Sequence, residues 1–547
     1  MTMRVNRTRA RFALGAREID MRKGSRDMRN RTRHPRGVAL AIGITLALVL
    51  ASCQGGRPST GADATPAGPQ SLVIVQSYLP KLLDPAFDTA LFTGATFSYI
   101  FDALVKTDDS GQLRPNLATS WRSVDPTTWE FKLRTGVKFH NGEVFDAAAA
   151  KYTLDRVLDP NTKSVWRGGR LGAMSSVSAP SADTLTIKTS APSVIIPSGL
   201  TTIYMVPPKY ASEQGVAGFG KAPFGTGPFK VAEWKVDDHV TLERNPDYWG
   251  GAPKLSTVTI RMVPDEAPRI AALQNGEAQI AFPISPDQIG AVRTKPDLKV
   301  EHVNIGQALV VAMRGINSGP LEKKEVRQAL NYAIDKKKIF DALMQGQGRI
   351  LDGQLGGTNT YGYNPDLTAY PYDPQKAKQL LAQAGFPNGF EVKFEGPTGR
   401  YPQDQQVGEA IVAQLAAVGV KTRYEVLESA KFSASAADGT IGPLYLWGWN
   451  LAPAMSIDQP YPFYLSTSAR KLLNDPEFDR LYKQSDVEFD PDKRLKLLQQ
   501  IGSVYREDAA SIFLWQLPNI FGVNAKVQGF VAHPDATVDL RTMTYTK

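Results

Sequence analysis

The chain has 547 residues, 42% of them hydrophobic and 21% charged, with a single cysteine and a formal net charge of +9 at pH 7. That length and apolar content suffice for large cores divided over two or three domains, and one cysteine excludes a disulfide framework within the chain. The positive charge is local: 12 of the 63 Lys and Arg but 3 of the 54 Asp and Glu lie within residues 1–53, so residues 54–547 balance and carry no basic footprint for nucleic acid.

An arginine cluster ending at Arg36 is followed by an apolar run over 37–50 and then by Leu50-Ala51-Ser52-Cys53. Basic, apolar and small residues in this order are those of a secretory signal, and a run of about 14 residues is too short for a span that needs roughly 20. Leu50-Ala51-Ser52-Cys53 resembles the lipobox of bacterial lipoproteins, in which the cysteine is acylated and becomes the new N-terminus. Residues 1–53 are therefore read as a lipoprotein signal peptide, with Met21 and Met28 as alternative starts, and Cys53 as the lipidation site. Residues 54–70, rich in Gly, Pro, Ser, Thr and Ala, have little to bury and form a flexible tether.

After the tether, 71–76 is a strand and Tyr78 stands in the loop behind it. Apolar spacing predicts a helix over 95–105, with Phe97, Ile100, Phe101 and Leu104 on one face. Trp129, Phe131 and Leu133 alternate with Glu130, Lys132 and Arg134, which predicts a half-buried strand. Asn141-Gly142 is a turn, and Asp146 is the expected N-cap of the helix that follows. Further strands are predicted at 183–188, 257–261, 390–394, 421–426 and 511–516. Helices are predicted at 267–275, 324–340, 375–384, 408–418 and 491–509, with Gly385 closing one of them in a left-handed conformation. Strands alternating with short helices imply α/β architecture.

Catalytic inventories fail. The chain has no Gly-x-Ser-x-Gly elbow, no His-Glu-x-x-His and no phosphate-cradling Gly-x-x-x-x-Gly-Lys-[Ser/Thr] loop. Gly225-Thr226-Gly227-Pro228 is a tight turn, because Pro228 lacks the N–H a phosphate cradle needs. His140, His239, His302 and His533 are scattered without acidic residues at ligand spacing, so neither metal nor cofactor is expected. The strongest ligand-contact candidates are Trp447 and Trp449, which straddle Gly448 and share a face if 444–450 is a strand, with Asn450 beside them. Arg400 and Tyr401 follow a strand, where the guanidinium can meet a carboxylate as a fork and the ring can stack. Tyr78 is a third candidate for the wall of a site.

Several segments together resemble one family. They are Leu117-Ala118-x-Ser120-Trp121, then Trp129-x-Phe131-x-Leu133-Arg134-x-Gly136-Val137-Lys138-Phe139-His140-Asn141-Gly142, then Gly225-Thr226-Gly227-Pro228-Phe229. In the same order follow Arg244-Asn245-Pro246-Asp247-Tyr248-Trp249-Gly250, the 271–277 and 326–335 segments, and the 372–381 segment. This set is similar to the extracellular solute-binding proteins of the peptide/nickel class (solute-binding protein family 5). These are the receptors of ABC importers for oligopeptides, dipeptides, nickel complexes and some oligosaccharides.

The resemblance implies a two-lobed α/β fold of the periplasmic-binding-protein type (type II, enlarged by an extra subdomain), with the ligand cleft between lobes. Lobe I is expected from 71–111, 213–315 and 509–547, with a subdomain inserted at 112–212, and lobe II from 316–508. Hinge crossings are expected near 314–318 and 511–517. The implied function is a monomeric, lipid-anchored binding subunit outside the cytoplasmic membrane, at the periplasm or the outer face. It would deliver a small solute such as a dipeptide, oligopeptide or oligosaccharide to permease and ATPase subunits without catalysis. The alternative is an extracellular lipid-anchored enzyme or a ligand sensor on the same fold. In peptide-binding members, an acidic residue three positions after the equivalent of Trp449 clamps the peptide's α-ammonium. Here that position is Ala452, and Asp458 is the nearest carboxylate downstream.

Overall fold

The structure, a computed structural model, describes residues 70–88, 91–168, 171–314, 319–452 and 454–546. Residues 1–53, expected to be a signal peptide ending at Cys53, and the 54–69 stretch of the expected tether lie outside the described residues.

In chain order the principal strands are β1 (Ser71–Gln76), β2 (Ala118–Asp125), β3 (Thr128–Leu133), β4 (Met174–Ser181), β5 (Thr184–Thr189), β6 (Phe229–Lys235) and β7 (His239–Arg244). They continue with β8 (Thr257–Met262), β9 (Ile280–Phe282), β10 (Leu298–Met313), β11 (Phe390–Thr398), β12 (Val420–Glu428), β13 (Leu444–Asn450) and β14 (Ser511–Asn524). Ten of them form one sheet in the order β12–β11–β13–β10–β14–β9–β1–β8–β7–β6, and the short strand Arg349–Ile350 joins β14 as the eleventh. A separate antiparallel sheet, β2–β3–β5–β4, carries the inserted subdomain. There Trp129, Phe131 and Leu133 are buried as their alternation predicts. Asp146 caps the helix Ala147–Leu158 by accepting from the Ala149 N–H.

The large sheet spans two lobes. In one, β1 runs parallel to β8 and β9; in the other, β11 runs parallel to β12 and β13. β10 and β14 are antiparallel to each other and belong to both lobes. Residues 298–304 of β10 pair with 518–524 of β14, and residues 308–312 pair with 511–516, with the register broken between. At that break the Gly306 N–H donates to the Pro534 carbonyl at 2.8 Å, and the Gly306 carbonyl accepts from Leu451 at 2.6 Å. Of the expected first crossing, residues 315–318 lie outside the described residues. Arg314 is held by the Gly439 and Ile441 carbonyls inside the second lobe, and the strand register passes between lobes earlier, at 304–308.

Each lobe has its own core. In the first, Ile74, Phe97, Phe101, Phe229 and Val258 pack together. In the second, both faces of the sheet are covered. Leu309, Leu330, Phe394, Ile411 and Leu446 lie on one side, and Val310, Tyr445, Trp449, Tyr505 and Phe513 on the other. Burial of one such side chain contributes roughly 1.5–3 kcal/mol.

The helix expected over 408–418 starts earlier, at Asp404, and two predicted helices differ more. The one expected over 324–340 is broken: Lys324–Tyr332 ends, and Asp335 leaves helical geometry to cap a second turn by accepting from the Lys338 N–H at 2.9 Å. The one expected over 95–105 is Leu91–Ile100. It stops there because the Ile100 carbonyl accepts from the Gly227 N–H at 2.9 Å. The turn approaches so closely that a Cβ at Gly225 would lie 2.0 Å from that oxygen, which explains the glycine.

Candidate ligand-binding site

The carboxyl ends of the parallel strands in both lobes point at the register break. β1, β8 and β9 end at Gln76, Met262 and Phe282; β11, β12 and β13 end at Thr398, Glu428 and Asn450. The loop after β11 reaches across, and Gln403 donates to the Asp287 carboxylate at 2.6 Å, behind β9. Crevices at the carboxyl ends of open α/β sheets are where such folds bind ligands.

β13 supplies the central surface. It pairs with β10 along its whole length but meets β11 only at Leu444 and Tyr445. Its remaining edge, toward Asn450, is covered by the loop 399–403. There the Tyr401 hydroxyl accepts from the Gly448 N–H at 2.8 Å and from Arg400 Nε at 3.0 Å. Gly448 leaves room for this ring, since a Cβ would lie 2.7 Å from it. Tyr401 is only 5% exposed, and burial raises the pKa of its phenol, so it supports Arg400 and the strand edge. The loop itself is held by Asp404, whose carboxylate accepts from the Arg400 and Tyr401 N–H groups at 2.8 and 3.1 Å.

Trp447 and Trp449 do share a face, with ring centroids 5.9 Å apart. Their surroundings differ. Trp449 is 4% exposed, donates to the Tyr464 hydroxyl at 2.7 Å and stacks on Phe463 at 5.2 Å. Trp447 is half-buried, and its Nε1 has no hydrogen-bond partner. Arg400 lies on Trp447 with its Cζ 5.5 Å from the ring centroid, and its Nη1 donates to Ser433 Oγ at 2.7 Å. A second guanidinium, from Arg470, lies 5.1 Å from Trp447, 5.3 Å from Trp449 and 4.5 Å from Phe463, and its buried Nη1 has no partner. Nothing local in the sequence singles out Arg470, which comes to the tryptophans through the loop after Phe463.

The other sequence candidates fall at the margins. The side-chain oxygen of Asn450, which is half-buried, accepts from the Ala452 N–H at 3.2 Å. Asp458 is 6% exposed and ion-paired with Arg494, so the carboxylate nearest to Ala452 is already engaged. Tyr78 stands on the first lobe, 37% exposed. Its phenol pKa is raised by burial and then by the Asp88 and Asp237 charges, and it is not among the rings that stack on Trp447. A cavity of 520 Å³ between the subdomain and the second lobe is lined by Trp121, Trp129, Tyr361 and Phe489. Among the described residues no group of three or more His, Cys, Asp or Glu side chains is placed to hold a metal ion.

Comparison with known proteins agrees with this geometry. Heme-binding protein A of Haemophilus influenzae is 29% identical over 89% of this chain and 95% of its own length. The glutathione-binding protein GsiB of Pectobacterium atrosepticum is 29% identical over 76% of this chain and 82% of its own. The solved structure of AgaA from A. tumefaciens, in complex with agropinic acid, superposes with a TM-score of 0.72 at 26% identity, covering 87% of this chain and 99% of that one. Residues 112–471 match the family described as Bacterial extracellular solute-binding proteins, family 5 Middle. The chain belongs to family 5 of the bacterial extracellular solute-binding proteins.

Proposed function

We propose that this protein is the lipid-anchored binding subunit of an ABC importer, capturing a small polar or peptide-like solute by closing its two lobes. Family membership carries the coarser part: an extracytoplasmic substrate-binding protein of the ABC-importer class, not an enzyme. In the proposal Cys53 bears the lipid and 54–70 is the tether. Residues 71–111, 213–315 and 509–547 form the first lobe with 112–212 inserted, and 316–508 form the second, the shared strands β10 and β14 being counted with the first although their far halves pack in the second. Solute lies between Tyr78 on one side and Trp447, Trp449, Asn450 and Arg400 on the other, with Tyr401 behind them. Closure bends β10 and β14 at their register break, and the permease recognises the closed, monomeric form.

The observation that carries this reading is the convergence of both sets of parallel strands on one crossing, where a half-open aromatic and cationic surface lies. The relatives are named for different ligands, so side chains rather than the fold choose the solute. Ala452 supplies no carboxylate for a peptide's ammonium, which argues against a free amino-terminal peptide.

Native mass spectrometry of the protein purified without refolding tests the proposal. A discrete extra mass, released intact on denaturation, is the expected result. Chemical turnover of the captured molecule overturns it, as does an empty protein that takes up nothing from spent growth medium. The Cys53→Ser variant should leave the membrane fraction; a variant that stays there overturns the lipid anchor.

A further inference from the structure

Resting on the receptor reading, we infer that the second-lobe wall is an anion subsite: the solute carries a carboxylate that ion-pairs with Arg470 and Arg400 across Trp447, with an aliphatic or planar portion lying on the indole.

The argument begins with charge. Two guanidinium groups flank one indole, and neither has a carboxylate within ion-pair distance among the described residues. The nearby acids are engaged elsewhere. Asp404 holds the backbone of the 399–403 loop. Glu428 caps the helix Ser429–Asp438 through the Ala430 and Lys431 N–H groups. Asp458 pairs with Arg494.

Elsewhere in the molecule, buried arginines are held by protein acceptors, although Arg269, bound by the Val263, Pro264 and Pro283 carbonyls, also keeps its Nε without a partner. Arg156 is paired with Asp84, and Arg327 is bound by the carbonyls of Leu321, Glu322 and Asp508. Arg470 instead meets aromatic faces and the Tyr445 hydroxyl, with no carboxylate beside it. Those faces attract a cation but accept no conventional hydrogen bond, so its buried Nη1 remains without a partner.

Trp447 Nε1 is a second unsatisfied buried donor on the same surface. The site therefore presents donors and positive charge, and its fixed acceptors are neutral hydroxyls rather than carboxylates. A carboxylate is its complement: two oxygens, acceptor-only when ionised, and matched to the guanidinium fork. An ammonium at the same place meets two fixed positive charges. The surface is also reachable, since Arg400 is exposed and Phe463, which stacks on Trp449 beneath Arg470, is 39% exposed.

The test uses matched probes that differ in the charged group, followed by quenching of indole fluorescence on the purified protein. The first pair is N-acetyl-dialanine, with a carboxylate and no amine, against dialanine amide, with an amine and no carboxylate. The second pair is gluconate against glucose. Both carboxylates should bind more tightly than their partners. Arg470→Gln and Arg400→Gln should each weaken carboxylate binding on the order of 10- to 100-fold and abolish the preference. Arg470→Lys, which keeps the charge but not the fork, should fall between, and melting curves establish that each variant is folded. A preference for dialanine amide or glucose overturns the anion subsite and leaves the receptor reading standing, as does carboxylate affinity unchanged in folded Arg470→Gln. Failure of all four probes also overturns the subsite. The receptor reading then falls only if the purified protein is empty by native mass spectrometry and takes up nothing from spent medium.

Discussion

Two buried polar centres in this molecule, one in each lobe, are built in opposite ways. In the first lobe, the Asp102 carboxylate accepts from Thr226 Oγ1 and Trp249 Nε1 at 2.9 Å and from the Tyr248 hydroxyl at 3.1 Å. Beside it, His140 clamps the same turn: Nδ1 accepts from the Gly225 N–H at 3.2 Å and Nε2 donates to the Gly227 carbonyl at 2.9 Å. This centre is saturated with protein partners. In the second lobe, Arg470 and Trp447 each keep a buried donor unpaired among aromatic rings. A satisfied polar network fixes one packing arrangement, whereas an unsatisfied one is a place where a bound molecule gains what the protein has left open. In the proposed reading the first centre belongs to the scaffold and the second to the solute.

Mutations break or sharpen that contrast. The largest effect is expected from Asp102→Ala, which orphans three buried donors at once and should lower unfolding free energy by about 3 kcal/mol in urea titrations. A loss below about 1 kcal/mol would mean that water substitutes for the carboxylate.

The next effect is a pH dependence. Burial drops the His140 pKa from 6.5 to about 4, against the hydrogen bond to Gly227, so the folded protein holds this ring neutral. The unfolded chain takes up the proton first. Stability from this residue is therefore full above pH 6.5 and is lost as pH falls toward 4, by roughly 2–4 kcal/mol in total. Melting temperatures recorded across that window should fall steeply for the natural protein and more gently for His140→Gln. Parallel profiles would place the acid sensitivity elsewhere.

A much smaller change is expected from Arg470→Met. Removing a half-buried cation that has no carboxylate partner and keeping apolar volume should change stability by no more than about 1 kcal/mol in either direction. A loss above about 2 kcal/mol would place Arg470 with Asp102 as scaffold. The smallest change is expected from Gln403→Ala, which removes the hydrogen bond to Asp287 between the lobes. It should shift the open–closed ratio of the unliganded protein by about three- to tenfold toward open. Small-angle scattering would register this as a larger radius of gyration, and an unchanged radius would mean that this contact does not hold the lobes together.

Several features were legible because their causes are local. Alternation placed Trp129, Phe131 and Leu133 in a core, Asp146 announced a helix start, and Gly385 does take a left-handed conformation at φ +89°. Trp447 and Trp449 were readable as one face of a strand because side chains repeat every two residues. The break at Asp335 was not readable. The apolar stripe continues through Val326, Leu330 and Ile334, but it does not reveal that the Asp335 carboxylate starts a new turn. Tyr401 could be seen as an aromatic near a site. That it closes the bare edge of β13 depends on how far β11 pairs with that strand, which is a tertiary fact.

By itself the sequence determined the family, the α/β character and the even charge balance of residues 54–547. Each of these follows from composition, short periodicities or motif order. Only the tertiary structure decided how charges are matched: that Asp458 belongs to Arg494, that Asp404 belongs to the loop backbone, and that Arg470 crosses to Trp447 with no carboxylate to pair it. Electrostatic partners are set by distance in space and by burial, and neither is written in the spacing of residues along a chain.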